Sequence, residues 1–549
     1  MAPEPTSPET TRPETTRPET TGPLRDPDPA ALSGLPVVVA GAGTAGRSAA
    51  RFLLDAGAQV TLADACFGET DDAGTGRTGD GVLDELVALG ARPVAIATLL
   101  DDDAWTSDTA LLITSPGFAP GHPLLVQTGA AGIPVWGEVE LAWRVDRAGL
   151  FGVPRTWLVV TGTNGKTTTT SMLTDIVAGS GRAAVACGNI GLPVLDAMMQ
   201  TPRVDVLCIE LSSFQLHWAP SVVPDAGVVL NVAEDHLDWH GSFGAYTQAK
   251  TGALRGAIGI VGLDDPVAAH LPVAGRRIGF TLGVPAAGQL GVDGTDLVDR
   301  AFGPGDDEHR SARVLVAAAD VAPPGPSGRA DALAASALAL AVGVSPAEIG
   351  AGLRAFRPGA HRGDVVARVD GIDYIDDSKA TNPHAAQAAI LGHRRVVLLA
   401  GGLLKGAEVD DLITGTRDRL AGAVAIGRDR EQIVDAIARH APEVPTVSVF
   451  TGDDGRVTVL GASAVQETAD EIVVREAGDA AAVAVLDRAV REAAALARAA
   501  ADTPDAVLLA PAAASLDMFA GYGSRGDAFA AAARALPGAE IPGSGGTAQ

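Results

Sequence analysis

The stretch VVTGTNGKTTTT, Val159–Thr170, decides how the chain is read. An apolar run enters it, two glycines and a lysine follow, and a series of threonines leaves it. That order is a strand feeding a phosphate-cradling turn and then a helix. The usual phosphate loop carries a further glycine, five residues before the second one, and here that place holds Val160. Gly162 and Gly165 still permit a tight turn that aims successive N–H groups inward. Lys166 supplies a cation for terminal phosphates, and Thr167 can ligate magnesium where a helix begins and its positive end favours anions. The loop is short but loses no function. It reads as an ATP site made of Gly162, Thr163, Asn164, Gly165, Lys166, Thr167 and Thr168.

Strands that run into glycines also occur on either side. Upstream, LPVVVAGAGTAGRSAARFLLDAGAQVTLADA combines a strand at Val37–Ala40, the turn Gly41-x-Gly43-x-x-Gly46, an alanine-rich helix and a strand ending at Asp64. This is the dinucleotide-binding pattern, with a βαβ turn that merely packs tightly as the lesser alternative. Downstream, RRVVLLAGGLLKG takes strand Arg395–Ala400 into glycines again. Alternating strands and helices predict an α/β fold of mostly parallel sheets with flanking helices, Rossmann-like at both ends with a P-loop domain between. The expected domains are 34–152, 153–356 and 357–538, with a disordered Pro/Glu/Thr-rich tail over 1–33 and a flexible end over 539–549. Thr281–Pro326 and the acidic TGDDGRVTVLGASAVQETADEIVVREAGDAA are expected as surface insertions.

With 549 residues and 47% hydrophobic content, the chain can bury several cores. A net charge of −26 argues against nucleic acid and anionic membranes as partners. Cys66, Cys187 and Cys208 show no paired spacing, which fits a reducing compartment without zinc or disulfides. The repeat PETTRPETTRPETTGP lacks the apolar core of a signal peptide. Ala330–Val344 is too short to span a bilayer and reads as a packed helix. A cytoplasmic protein without membrane insertion is expected.

Two further stretches carry acids and bases. VDVLCIELSSFQL is a buried strand ending in Glu210, placed to hold a metal opposite the phosphate loop. In LNVAEDHLDWHGSFGAYTQAKTGAL, His236 lies among Glu234, Asp235 and Asp238, a set suited to a second magnesium or its waters. Lys250 follows on a helix and, on its own, reads as a solvated surface lysine.

With SPGFAPGHP (Ser115–Pro123), GNIGLP (Gly188–Pro193), HRGDVV, DDSKATNPHA and LAPAAASLDMFAGYGSRGDAF, these motifs resemble the Mur ligase family over about Val37–Leu536. Its members are ATP-dependent amide-forming enzymes of peptidoglycan synthesis. G-T-N-G-K-T is shared with folylpolyglutamate synthase, whereas DSKATN resembles the branch that adds D-glutamate to UDP-N-acetylmuramoyl-L-alanine. The resemblance implies a carbamylated Lys250 that holds one magnesium with His236, and a second magnesium on Thr167 and Glu210. It implies that Gly43, Thr44, Ala45 and the turn Ser115-Pro116-Gly117 serve a uridine nucleotide and not NAD. Asn189, Ser212 and Gln215 match groups near the muramoyl substrate. Lys379, Thr381, Lys405, Ser515, Leu516 and Tyr522 match the D-glutamate pocket, whose two carboxylates call for lysines and hydroxyls. Lys166, His236, Lys250, His361 and Arg362 form the implied catalytic set, in a monomer.

Two positions depart from the pattern. Asp331 in PSGRADALAA and Gly262 in IVGLDDP stand where the family carries asparagines on the adenine side. They motivate one other reading, a catalytically weak nucleotide-binding regulator, while another Mur-type or folylpolyglutamate-type ligase is a further alternative that DDSKATN and the absence of a D-N-P-R stretch count against.

Overall fold

The computed structural model describes residues 27–68, 81–303, 311–452, 456–461 and 479–541, which fall into two compact units, Met1–Gly152 and Val153–Gln549. In the first, β1 (Pro36–Ala40), β2 (Gln59–Asp64), β3 (Arg92–Ala95), β4 (Leu111–Thr114) and β5 (Val135–Gly137) form a parallel sheet ordered β3-β2-β1-β4-β5. The order reverses at β1, so the glycine turn that follows it lies at the switch point where such sheets bind ligands. Gly46 is required there, because a Cβ would sit 1.8 Å from the Gly41 carbonyl oxygen.

The second unit holds two sheets. Nine strands make the larger: β6 (Thr156–Thr161), β7 (Ala184–Gly188), β8 (Val206–Glu210), β9 (Ala226–Val229), β10 (Ile258–Gly262), β11 (Arg276–Phe280), β12 (Gln289–Asp293), β13 (Asp296–Asp299) and β14 (Arg313–Ala317). Their order is β14-β13-β12-β11-β10-β9-β6-β8-β7. Interior strand β6 is buried at every position from Trp157 to Thr161, the continuous apolar run that a strand covered on both faces needs. Seven strands make the other sheet: β15 (Asp364–Val369), β16 (Ile372–Asp376), β17 (Val396–Gly401), β18 (Leu420–Ile426), β19 (Thr446–Thr451), β20 (Val457–Gly461) and β21 (Ala506–Leu509), ordered β15-β16-β21-β17-β18-β19-β20. Only its edge strands, β15 and β20, run antiparallel.

Several expectations change. Thr281–Pro326 is not a surface insertion: β12, β13 and β14 extend the nine-stranded sheet, and Leu290, Leu297, Leu315 and Val316 are buried in its core. Short hairpin strands between glycines and prolines imitate loop composition. The expected tail ends earlier than residue 33, since Leu32 is buried and its carbonyl accepts from Leu35 N. At the other end Glu540 exchanges two backbone hydrogen bonds with Arg368. In the acidic stretch, β20 pairs with β19, while residues 453–455 and 462–478, like 1–26 and 542–549, lie outside the described residues.

Helix Pro326–Ala341 is buried continuously from Asp331 to Leu340 and shares a core with Met172, Leu173, Ile176 and Val177 of helix Lys166–Gly179. Its alanines allow the close approach that seats the phosphate loop on the core. Helix Pro346–Ala355 packs there through Gly352, where a Cβ would lie 2.8 Å from the Ile176 Cα. Gly352→Ala must therefore push two helices apart, at a cost of about 1–3 kcal/mol. A lowered melting temperature checks this, and an unchanged one would disprove it.

Candidate functional site

The phosphate loop is held from beneath by an asparagine. Asn231, just beyond β9, accepts through Oδ1 from Thr163 N at 3.0 Å and Asn164 N at 2.8 Å, and donates through Nδ2 to Asn164 O at 3.2 Å. Thr163 is pinned further: Ala233 N donates to its hydroxyl at 2.9 Å, and the Tyr246 hydroxyl lies 2.9 Å away. Gly165 caps helix Lys166–Gly179 with φ 84°, a left-handed conformation that favours glycine. Thr168 lies half-buried in the first turn of this helix.

Two lysines converge on one oxygen. Lys166 Nζ donates to the carbonyls of Gly162 at 3.0 Å and Thr163 at 2.9 Å. Lys250 Nζ donates to Gly162 at 2.8 Å. The surface-lysine reading of Lys250 fails: it is 2% exposed, and its ammonium lies 4.6 Å from the Tyr246 ring centre. Burial, then the neighbouring Lys166 charge, hold the Lys250 amine well below its ordinary pKa. Burial likewise lowers Lys166, against the opposing pull of Glu210 and Asp235.

Glu210 ends β8 opposite the loop. Thr167 Oγ1 donates to its Oε2 at 2.7 Å, and Asn189 Nδ2 to its Oε1 at 2.9 Å. Ser212 and Gln215 spend their side chains on a reciprocal cap of helix Ser213–His217. His236 takes a left-handed conformation, φ 54°, with its ring 4.7 Å from that of Phe214. Burial lowers its pKa although Asp235 and Asp238 oppose this.

The seven-stranded sheet contributes a second cluster. Asn382 Nδ2 donates to Asn164 Oδ1 at 3.0 Å, which joins the DSKATN turn to the phosphate loop. Lys379 Nζ lies 3.9 Å from the Tyr522 ring centre, and Thr381 N donates to the Lys379 carbonyl at 2.8 Å. Backbone bonds between Leu403 and Ala514 lie next to the segments that carry Lys405, itself at φ 54°, and Ser515. Ser515 is buried and Leu516 exposed. His361 Nδ1 lies 2.6 Å from Asp376 Oδ2. Arg362 is felt electrostatically by Lys166 and Lys379.

In the first unit, Gly43 caps helix Thr44–Asp55, in which Thr44 and Ala45 fill the first turn. Ser115 N donates to Ala40 O at 2.8 Å and begins the turn through Pro116 and Gly117. Asp64 accepts from Ala42 N at 2.6 Å, so its carboxylate ties down the glycine turn.

A profile of the Mur ligase middle domain matches residues 160–282. A UDP-N-acetylmuramoylalanine–D-glutamate ligase of Rhodococcus jostii is 54% identical over 93% of this chain and 97% of its own length. The enzyme of the same name from Mycolicibacterium smegmatis is 52% identical over 92% and 97%. The chain belongs to the Mur ligase family. Among solved structures, a pseudomurein peptide ligase type C of Methanothermus fervidus aligns over 90% of this chain and 99% of its own, with 16% identity and a TM-score of 0.47.

Both departures from the pattern of this ligase family have a steric or electrostatic setting. A Cβ at Gly262 would lie 2.2 Å from the Leu230 carbonyl oxygen, so the backbone leaves no room for an asparagine. Asp331 stands behind the phosphate loop, where Thr169 Oγ1 donates to it at 3.1 Å. Burial pushes its carboxyl to about 8. The unfolded chain releases this proton near pH 4 while the folded protein keeps it to about 8, so stability falls as pH rises through that window. Asp331→Asn should flatten the fall and raise the melting temperature at pH 8. An unchanged pH profile would refute the protonated state.

Proposed function

We propose that the chain joins D-glutamate to UDP-N-acetylmuramoyl-L-alanine at the expense of ATP, as its curated relatives are named to do. The observation that carries this reading is the convergence of Lys166, Lys250, Glu210 and the DSKATN turn on one phosphate loop. The chain is an ATP-dependent acid–amino-acid ligase of peptidoglycan synthesis. We assign the muramoyl side to Asn189, Ser212 and Gln215, and the uridine nucleotide to Gly43, Thr44, Ala45 and Ser115–Gly117. D-Glutamate goes to Lys379, Thr381, Lys405, Ser515, Leu516 and Tyr522. The proposed domains divide at residues 152 and 356, in a cytoplasmic monomer. No helix among the described residues is long and apolar enough to cross a membrane.

A carboxylate is a poor electrophile, so the L-alanyl carboxylate first takes the terminal phosphoryl group of ATP. The loop amides and Lys166 orient that group and offset its charge. The D-glutamate amine then attacks the acyl-phosphate, an amide bond forms, and phosphate leaves. His361, bonded to Asp376, and Arg362 border the cluster where this happens.

The residues present suit magnesium. Thr167 and Glu210 offer oxygens 2.7 Å apart, the donor type it prefers. Among the described residues no group of three or more His, Cys, Asp or Glu side chains is gathered for a metal, so Glu234, Asp235, His236 and Asp238 do not form the set that their spacing suggests. When bound, magnesium neutralises charge on the transferring phosphoryl group. Thr167 and Glu210 would hold one ion, and His236 and Lys250 the other.

Lys250 could do so only with its charge reversed. Its neutral amine can attack carbon dioxide and lose a proton, which leaves an anionic carbamate with two oxygens. Burial and the Lys166 charge, which lower its pKa, favour that neutral amine. Lys250→Ala should be nearly inactive, and acetate should restore part of the rate, whereas Lys250→Arg should not respond to acetate. Full activity of Lys250→Ala without added acid would refute the carbamate.

The function is tested by phosphate release with and without the two acceptor substrates. Release that requires both supports the ligase, and release indifferent to D-glutamate overturns it. Lys166→Ala should lose on the order of 10²-fold or more in kcat through one missing transition-state cation, with an unchanged melting temperature. Activity near wild type would overturn the assignment of the loop.

A further inference from the structure

Arg525 belongs to none of the roles above, yet it is 1% exposed and among the largest fully buried side chains. It lies in the first turn of helix Tyr522–Arg534 and its fork grips two other segments. Nε donates to Ser378 Oγ at 3.0 Å, Nη2 to Ser378 O at 2.9 Å and Nη1 to Ala513 O at 3.1 Å. Ser378 Oγ passes the contact on, donating to Tyr522 O at 2.8 Å. A Cβ at Gly402 would come within 3.2 Å of Arg525 Nη1, so the loop leading to Lys405 packs on the same guanidinium.

These contacts meet at the residues assigned to D-glutamate. Ser378 precedes Lys379, Ala513 lies two positions before Ser515, and the Tyr522 ring sits 3.9 Å under the Lys379 ammonium. Among the described residues no carboxylate forms an ion pair with Arg525. Its direct partners are neutral oxygens, and Asp517 and Asp376 favour its charge only from beyond ion-pair distance, so the guanidinium loses its hydration without a paired carboxylate. Burial lowers its pKa to about 10, which leaves it cationic at neutral pH. Packing alone does not require that charge. A dicarboxylate bound nearby does benefit from it.

We propose that Arg525 is a positioning residue for D-glutamate: its fork holds the segments bearing Lys379, Ser515 and Tyr522 in register, and its buried charge favours the substrate's carboxylates. The proposal rests on the ligase reading. It separates from a purely structural role because the chain contains a counterpart. Arg155 is also buried and also forks onto carbonyls, Val204 O at 3.1 Å and Met198 O at 2.7 Å, neither of which belongs to a segment assigned to D-glutamate.

The test compares Arg525→Lys, Arg525→Gln and Arg155→Lys in the full chain, with KM for each of the three substrates, kcat and melting temperature. Arg525→Lys keeps the charge and loses the fork. It should raise KM for D-glutamate about tenfold, the worth of one hydrogen bond to a charged group, with KM for ATP and UDP-N-acetylmuramoyl-L-alanine little changed. Arg525→Gln should raise it further, and if that variant does not fold, Arg525→Lys decides. Arg155→Lys should lower the melting temperature and leave KM for D-glutamate alone. Unchanged KM for D-glutamate in Arg525→Lys, or an equal rise in all three constants, would overturn the proposal while wild-type turnover upholds the ligase. Wild-type turnover that ignores D-glutamate would overturn the ligase reading itself.

Discussion

The Gly162 carbonyl oxygen accepts from two lysine ammoniums, Lys166 at 3.0 Å and Lys250 at 2.8 Å. Like charges at such a distance repel, and burial adds to the cost, so the surroundings must hold them together. Glu210 and Asp235 favour the charged form of Lys166, and Asp235 that of Lys250. The Asn231 amide fixes the loop that presents the oxygen. This small crowd of cations decides what the loop can receive. In the proposed reaction, phosphate would relieve the repulsion at Lys166, and conversion of the Lys250 amine to a carbamate would relieve it from the other side.

The loop can carry this load because it is seated on the core and cannot slide. Its helix shares apolar contacts with the buried alanine helix Pro326–Ala341, and Asp331 on that helix accepts from Thr169 in the loop's first helical turn. On the opposite side Asn382 joins it to the turn that carries Lys379. Both sites of the proposed reaction, phosphoryl transfer and amine attack, are thus built on one continuous set of bonds.

The parallel sheets were legible because buried strands such as β6 read as unbroken apolar runs. Val160, which occupies the place of a missing glycine, belongs to that strand and is fully buried; the turn simply begins at Gly162. The contacts that shape the site were not legible. Asn231 lies 67 residues from Asn164 along the chain, Asp331 lies 162 from Thr169, and Arg525 lies 147 from Ser378. Local periodicity carries no trace of such pairings. Tyr246 was nearer to hand: it precedes Lys250 by one helical turn, the spacing that places two side chains on one face.

One compositional signal does point at the site. Of the 41 lysines and arginines in this chain only four are lysines, Lys166, Lys250, Lys379 and Lys405. A protein with net charge −26 therefore uses arginine for its ordinary ion pairs, such as Arg51–Glu85 and Arg439–Asp410. Arginine cannot replace lysine where the chemistry demands an amine: its pKa is too high for it to lose a proton, and its broad fork does not act as a compact point charge. Lys250 needs the first property, and Lys166 and Lys379 use the second. Burial lowers the pKa of all three of these lysines, most strongly at Lys250 where the proposed reaction with carbon dioxide requires a neutral amine. The proposed roles thus account for lysine at three of the four places where it is kept.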